Sequence, residues 1–154
     1  GKEIQKMDGL NQIGLYPVRS LLAAKLSDMQ RKKIQAVLEV HEPVLEKQRM
    51  ETEDLLRSLG ILLDNAIEAV PKQQGKVRVV LLQEQKGLYI AVSNTYEQAP
   101  DLTALAKKGY TTKGSGHGTG LSSYRRIVNR YSGCTMRTYL KEGFFVQELY
   151  LPTL

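Results

Sequence analysis

The chain has 154 residues, 42% hydrophobic and 25% charged, with a formal net charge of +6 and a pI of about 9.4. That is the size of one globular domain, able to bury about two thirds of its unfolded surface. No apolar run is long enough to span a bilayer, and there is no charged-then-apolar start of the secretory kind. Cys134 is the single cysteine, which excludes an internal disulfide and a multi-cysteine zinc site and suits a reducing compartment. The basic balance favours a polyanionic partner: nucleotide phosphates, nucleic acid or an acidic protein face. The opening Gly1-Lys2-Glu3, without an initiator Met, is what a piece of a longer chain shows.

Residues 4–33 carry a polar-rich helical pattern broken at Gly14 and Pro17, after which Pro17 is suited to a first helical turn. Residues 34–42 alternate, with Ile34, Ala36, Leu38 and Val40 on one side, and predict a half-buried strand ended by Pro43. From Glu51 to Val70 apolar residues recur at helical spacing, and Pro71 stops the helix. Residues 76–95 predict a hairpin turning at Gly87, whose first strand is nearly continuous in apolar residues, as a central strand would be. Residues 97–118 lose periodicity and predict a loop longer than ordinary connections. A helix over 119–132 follows, with Leu121, Tyr124, Ile127, Val128 and Tyr131 inward and Arg125, Arg126 and Arg130 outward. Gly133 is placed to cap it, and a last hairpin turns at 141–143. Hairpin-linked strands with few intervening helices predict an α+β fold, a mixed and mostly antiparallel sheet covered by helices on one face.

Two stretches carry chemistry. In "KKGYTTKGSGHGTGL", 107–121, no Gly is followed by the spacing and Lys-Ser/Thr ending of a Walker A loop, since Lys113 precedes Gly114. Nor is it a dinucleotide fingerprint, because the glycines alternate singly after a polar loop rather than following a strand. What remains is a glycine-rich loop whose amides can turn toward an anion and which feeds a helix N-terminus, with Lys107, Lys108 and Lys113 adding positive charge. Alone, such a stretch reads equally as a solvent loop. The second is "LGILLDNAIEAV", 59–70, where Asp54, Ser58, Ile61, Asn65 and Glu68 fall along one edge of a helix beside its apolar stripe. An amide there can face a cleft while the leucines anchor the helix; alone it reads as a solvated edge.

Together, Leu59 to Ala69, Val92-Ser93-Asn94, and Thr111-Thr112-Lys113-Gly114 before Gly118-Thr119-Gly120-Leu121 resemble the GHKL ATP-binding superfamily, whose members include gyrase, a heat-shock chaperone, histidine kinases and MutL. The resemblance covers roughly residues 15–152 and is closest to sensor histidine kinases of the Gram-positive peptide-pheromone, quorum-sensing (AgrC/ComD-like) group. It implies a two-layer α/β sandwich of the Bergerat type and ATP with Mg²⁺ as ligands. Asn65 would bind the Mg²⁺ through its amide oxygen, a hard ligand, with Glu68 beside it on the same helix. Asn94 stands where most histidine kinases have the Asp of a D-x-G-x-G box and would accept the adenine amino group. Lys113, Gly116, His117, Gly118, Thr119, Gly120 and Leu121 would form the lid around the phosphates. The D-x-G-x-G box itself is absent. Gyrase-like members carry a water-activating Glu at the position of Ile61, so the resemblance implies phosphoryl transfer to a positioned acceptor rather than hydrolysis.

The resemblance further implies that residues 1–32 are the tail of a dimerisation region or an adaptor helix and 33–154 the ATP-binding catalytic domain. The acceptor histidine would lie on upstream dimerisation helices, since His41, at a strand end, and His117 are the only histidines. The partners implied are those helices and a response regulator, in a membrane-anchored homodimer with this part on the cytoplasmic side. A nucleotide-held regulatory switch without transfer is the alternative. Nucleic acid is not expected as a partner: the basic residues are spread along the chain, aromatics are 6%, and no helix-turn-helix or stacking motif occurs.

Overall fold

The computed structural model describes residues 9–45, 47–105 and 118–153. Pro17 sits in the first turn of α1 (Tyr16–Arg31), where its missing N–H has no helical partner to lose. Val18, Leu22, Leu26 and Met29 form the buried side of α1 at three- and four-residue spacing. β1 (Gln35–His41) follows, then α2 (Thr52–Ala69), with Glu53 and Asp54 in its first turn, where carboxylates complement the helix dipole. Val70 is extended (φ −64°, ψ 152°), as the residue before Pro71 must be, and α2 ends there.

β2 (Lys76–Gln83) and β3 (Gly87–Thr95) form a hairpin. Gly87 is the first residue of β3 rather than the turn itself; a Cβ there would come within 2.7 Å of the Leu151 carbonyl oxygen, so the neighbouring strand leaves room only for glycine. A short α3 (Leu102–Leu105) interrupts the stretch expected to be loop throughout. It is started by Asp101, whose Oδ1 accepts the backbone N–H groups of Thr103 (3.0 Å) and Ala104 (3.3 Å). α4 (Gly118–Asn129) is followed by Gly133 at φ +86°, then β4 (Thr135–Lys141) and β5 (Phe144–Pro152). Glu142 (φ 53°) and Gly143 (φ 83°) join those two strands in a two-residue turn of the I′ kind that matches strand twist.

The sheet order is β1-β2-β3-β5-β4. Only β1 and β2 are parallel, and α2 is the crossover that a parallel pair requires. Partners across a ladder share a face, so Ala36, Val77, Asn94, Phe145 and Leu140 form one row, and Leu38, Val79, Val92, Gln147 and Thr138 the next. Every strand residue in the main core cluster lies on this face, under α1, α2 and α4. The expected α+β sandwich, mixed and mostly antiparallel with helices on one face, is the observed fold. The helix stripes are as expected with one correction. Ser58 is fully buried (0% exposed), within the apolar stripe and not on its polar edge, because its small side chain fits beside Met50.

The opposite face is held by polar ties. Arg78 grips Glu39 through two hydrogen bonds (3.1 and 2.8 Å), and Glu148 accepts from Tyr89 and Tyr139 (2.5 Å) with Arg137 at 3.3 Å. The bond to Glu148, then burial, raises the Tyr139 pKa; burial, then Glu148, raises that of Tyr89.

Two outcomes are expected. Gly133→Ala should destabilise the fold by about 1–2 kcal/mol in denaturant unfolding, from the left-handed backbone; its Cβ would also lie 3.0 Å from Pro152 Cγ. Raised tyrosine pKa values mean that the folded chain keeps protons the unfolded chain releases above about pH 10. This stabilisation is therefore complete below that pH and lost as pH rises through the folded values. Tyr139→Phe should flatten the alkaline decline in melting temperature.

Candidate nucleotide-binding site

α2 and α4 run antiparallel. Near the start of α2, Asp54 accepts hydrogen bonds from Arg130 (3.1 Å) and the Tyr131 hydroxyl, just past the end of α4. Seven residues along α2, Ile61 Cγ2 lies 3.7 Å from where a Gly120 Cβ would stand, in the first turn of α4. Ile61 and Asn65 are four residues apart and share a helix face. The antiparallel register therefore carries Asn65 one turn beyond Ile61, to the end of the layer where α4 begins. Asp64 is turned the other way, toward α1, where Lys25 Nζ is 2.5 Å from its Oδ1.

The same end of the sandwich receives the C-terminal end of β3. Val70, at the close of α2, lies against Gly75, where a Cβ would be 2.9 Å from Val70 Cβ. The Lys76 amide donates to Thr95 Oγ1 at 3.0 Å, and Asn94 pairs across β2 and β5 with Val77 and Phe145. Asn94 is buried (3% exposed) on the helix side of the sheet. Its Nδ2 donates to the Thr95 carbonyl at 3.0 Å, which orients the amide, whose Oδ1 can only accept a hydrogen bond.

The structure thus brings together Asn65, half-buried, Asn94, buried, and the Gly118-Thr119-Gly120-Leu121 turn that opens α4. Glu68 is exposed one turn beyond Asn65, and Leu121 packs partly into the core. α4 is described from Gly118 onward, and a helix N-terminus favours an anion. Lys113, Gly116 and His117, together with Lys107 and Lys108, lie outside the described residues. Asp54, although on the expected edge, closes the other end of the α2–α4 seam. Arg125 is half-buried rather than outward. Sequence reasoning missed Phe145, which stands beside Asn94 across the ladder; the Phe144-Phe145 pair after the Gly143 turn was its only signal, and the register that brings it there is not local.

The donor set fits Mg-ATP. An Asn side-chain oxygen suits a cation whose remaining ligands are phosphates and water, a buried amide oxygen suits an exocyclic amino group, and a helix N-terminus suits phosphates. A one-sided mixed sandwich with these groups converging at one end of the helix layer defines the nucleotide-binding class to which ATP-binding kinase domains belong.

The family model described as the GHKL domain matches residues 50–152. The chain belongs to that family. It is 27% identical over 139 residues to the sensor protein CitS of Bacillus subtilis (strain 168), covering 88% of this chain and 26% of CitS, so it spans about a quarter of that relative's length. Among solved structures it is similar to the catalytic domain of the histidine kinase ThkA (TM-score 0.75, 22% identity, 88% of this chain and 90% of that one). It is also similar to the mycobacterial sensor histidine kinase MprB (TM-score 0.68, 18% identity, 88% and 94%). ThkA in complex with the response regulator protein TrrA matches with TM-score 0.68 and 19% identity, over 89% of this chain and 39% of that one.

Asn94→Asp should destabilise the nucleotide-free domain at pH 7 by about 1–3 kcal/mol, because a carboxylate would replace the donor to the Thr95 carbonyl. The opposed oxygens raise the new carboxyl's folded pKa, so stability should return as pH falls through that value. Urea unfolding at pH 7 and pH 5 checks both signs.

Proposed function

We propose that this chain binds Mg-ATP and transfers the γ-phosphoryl group to a histidine on dimerisation helices outside it, in two-component signalling. One observation carries the proposal: the antiparallel α2–α4 seam sets Asn65, Asn94 and the first turn of α4 at one end of the helix layer. In the transfer the bond from the γ-phosphorus to the bridging oxygen breaks, ADP leaves with those electrons, and an imidazole nitrogen of the acceptor bonds to phosphorus. Asn65 holds the cation, with Glu68 one turn beyond it on the same helix, Asn94 holds the adenine, and Lys113, Gly116, His117 and the α4 amides form the lid around the phosphates.

The acceptor comes from elsewhere because His41 is badly placed for it. It pairs with Leu82, which pairs with Tyr89, five residues along β3 from Asn94, and it belongs to the face away from the helices. It lies exposed beside Glu39 at 3.5 Å. Ile61 packs against Gly120 and brings no general base to the seam, which favours transfer over hydrolysis.

Residues 1–32 serve in this reading as the join to the dimerisation helices and 33–154 as the catalytic domain. A response regulator is the downstream partner, a role supported by the ThkA–TrrA pair. The whole protein is a membrane-anchored homodimer with this part on the cytoplasmic side. The Thr111-Thr112-Lys113-Gly114 stretch and the Asn94 replacement for D-x-G-x-G support assignment to the peptide-pheromone, quorum-sensing group.

Calorimetric titration with ATP should show binding that requires Mg²⁺ and weakens at least about tenfold in Asn65→Ala, a loss of roughly 1.4 kcal/mol. Unchanged affinity would remove Asn65 from the metal. With a fragment carrying the dimerisation helices added in trans, acid-labile phosphohistidine should form on that fragment; a domain that uses nucleotide only as a switch would leave none.

A further inference from the structure

β2 is nearly continuous in apolar residues, the pattern of a strand covered on both faces. Among the described residues, however, the helices all lie over one face of the sheet. The other face carries Val37, 38% exposed, and Val80, half-buried, at positions that a solvated strand fills with polar groups.

Along the middle of this open face run Ala91 and Ser93 of β3, with Val80 of β2 opposite Ala91 and Val146 of β5 opposite Ser93. Ala91, Ser93 and Val146 are 7%, 7% and 8% exposed, so they lie below their neighbours. Arg78 stands on one side, held by Glu39, and Tyr139 on the other, held by Glu148. The result is a shallow, mostly apolar trough along β3 with fixed walls. Its flanking strands, β2 and β5, are two strand spacings or about 10 Å apart, which is also about the 10 Å width of a helix with its side chains.

The charge on this face is unbalanced. Among the outward residues of the five strands, Lys76, Arg78, Arg137 and Lys141 outnumber Glu39 and Glu148. Both carboxylates are engaged by the arginines, at 2.8 and 3.3 Å, whereas Lys76 and Lys141 have no acidic partner among the described residues. These lysines stand on either side of the trough, on β2 and β4.

We propose that this face, turned away from Asn65 and the α4 turn, docks an amphipathic helix of a protein partner whose apolar stripe is flanked by acidic residues. The stripe lies over Val80, Ala91 and Val146, and the acidic flanks meet Lys76 and Lys141. A bilayer fits less well: it takes up apolar groups that protrude, and here they are recessed between Arg78 and Tyr139, where only the side chains of a helix can interdigitate.

The probe is a hydrocarbon-stapled peptide helix of about four turns, with leucine along one stripe and glutamate on both flanks. One comparison helix has lysine flanks, and another has glutamine in place of the leucines. In ¹⁵N–¹H spectra of the whole chain the acidic probe should shift the Val80, Ala91, Ser93 and Val146 signals saturably, and both comparison helices should bind at least about tenfold more weakly. Val80→Gln should weaken the acidic probe about fivefold or more, and Lys141→Glu about threefold or more, in variants that thermal melting shows to be folded. Absence of saturable shifts, shifts centred on another surface, equal binding of either comparison helix, or undiminished binding in the folded variants would each overturn the proposal. Loss of the same signals on adding phosphatidylglycerol vesicles would overturn it in favour of a bilayer. Failure here leaves the ATP assignment untouched, because that rests on Asn65 and is read by a different titration.

Discussion

The structure depends on the seam between α2 and α4. At one end of it Asp54 ties two groups beyond the α4 terminus, and at the other Ile61 lies beside Gly120 in the first turn of α4. Leu59, Leu62, Leu63 and Ala66 anchor α2 in the core, while Tyr124, Ile127 and Val128 anchor α4. Because both helices are fixed on the sheet by these apolar contacts, their register is fixed too. The position of Asn65 relative to the α4 N-terminus follows from that register rather than from any bond that Asn65 makes. The Asp54–Arg130 pair is half exposed, and pairs of that kind contribute at most about 1 kcal/mol. It sets alignment, while the buried leucines supply the stability.

The sheet adds the second constraint. β1 and β2 are parallel and joined by α2, which is tied to the sheet at both its ends: just ahead of Thr52 the Arg49 amide donates to the Pro152 carbonyl at the end of β5 (3.1 Å), and Val70 lies against Gly75 at β2's entry. The Lys76 to Thr95 hydrogen bond fixes the end of β3 at that entry point. Asn94 is thereby carried to the same end of the layer as Asn65, although the two are 29 positions apart in sequence. Burial of Asn94 is tolerated because its amide is partly satisfied by the Thr95 carbonyl.

The main elements were legible in the sequence because their signals are local. Alternation in residues 34–42, the leucine spacing of α2 bounded by Pro71, and Gly133 after α4 each fix an element within a few residues of themselves. Asn65 was legible through the "LLDNAIEA" pattern and Asn94 through its place at a strand end. What was not legible was either too short or too distant. α3 has four residues, too few for a helical period, and only Asp101 announces it. Ser58 was misplaced because a hydroxyl on a helix reads as polar until Met50 is known to lie beside it.

Nucleotide binding and the proposed phosphoryl transfer make different demands on this chain. Binding needs fixed groups at one end of the helix layer, and the seam provides them. Transfer needs in addition a nucleophile placed in line with the departing oxygen, and a nucleophile on the domain itself would have to lie at that same end. The described histidine lies at the other end of the sheet and on its other face, and Ile61 puts a methyl-bearing side chain where a water-activating carboxylate could stand. Under the proposed transfer, the described residues place neither a histidine at that end of the layer nor a carboxylate at position 61, so bound ATP would wait for an outside imidazole. On that proposal the geometry of the encounter would decide whether phosphoryl moves, and control would pass from the nucleotide site to whatever positions the partner helix.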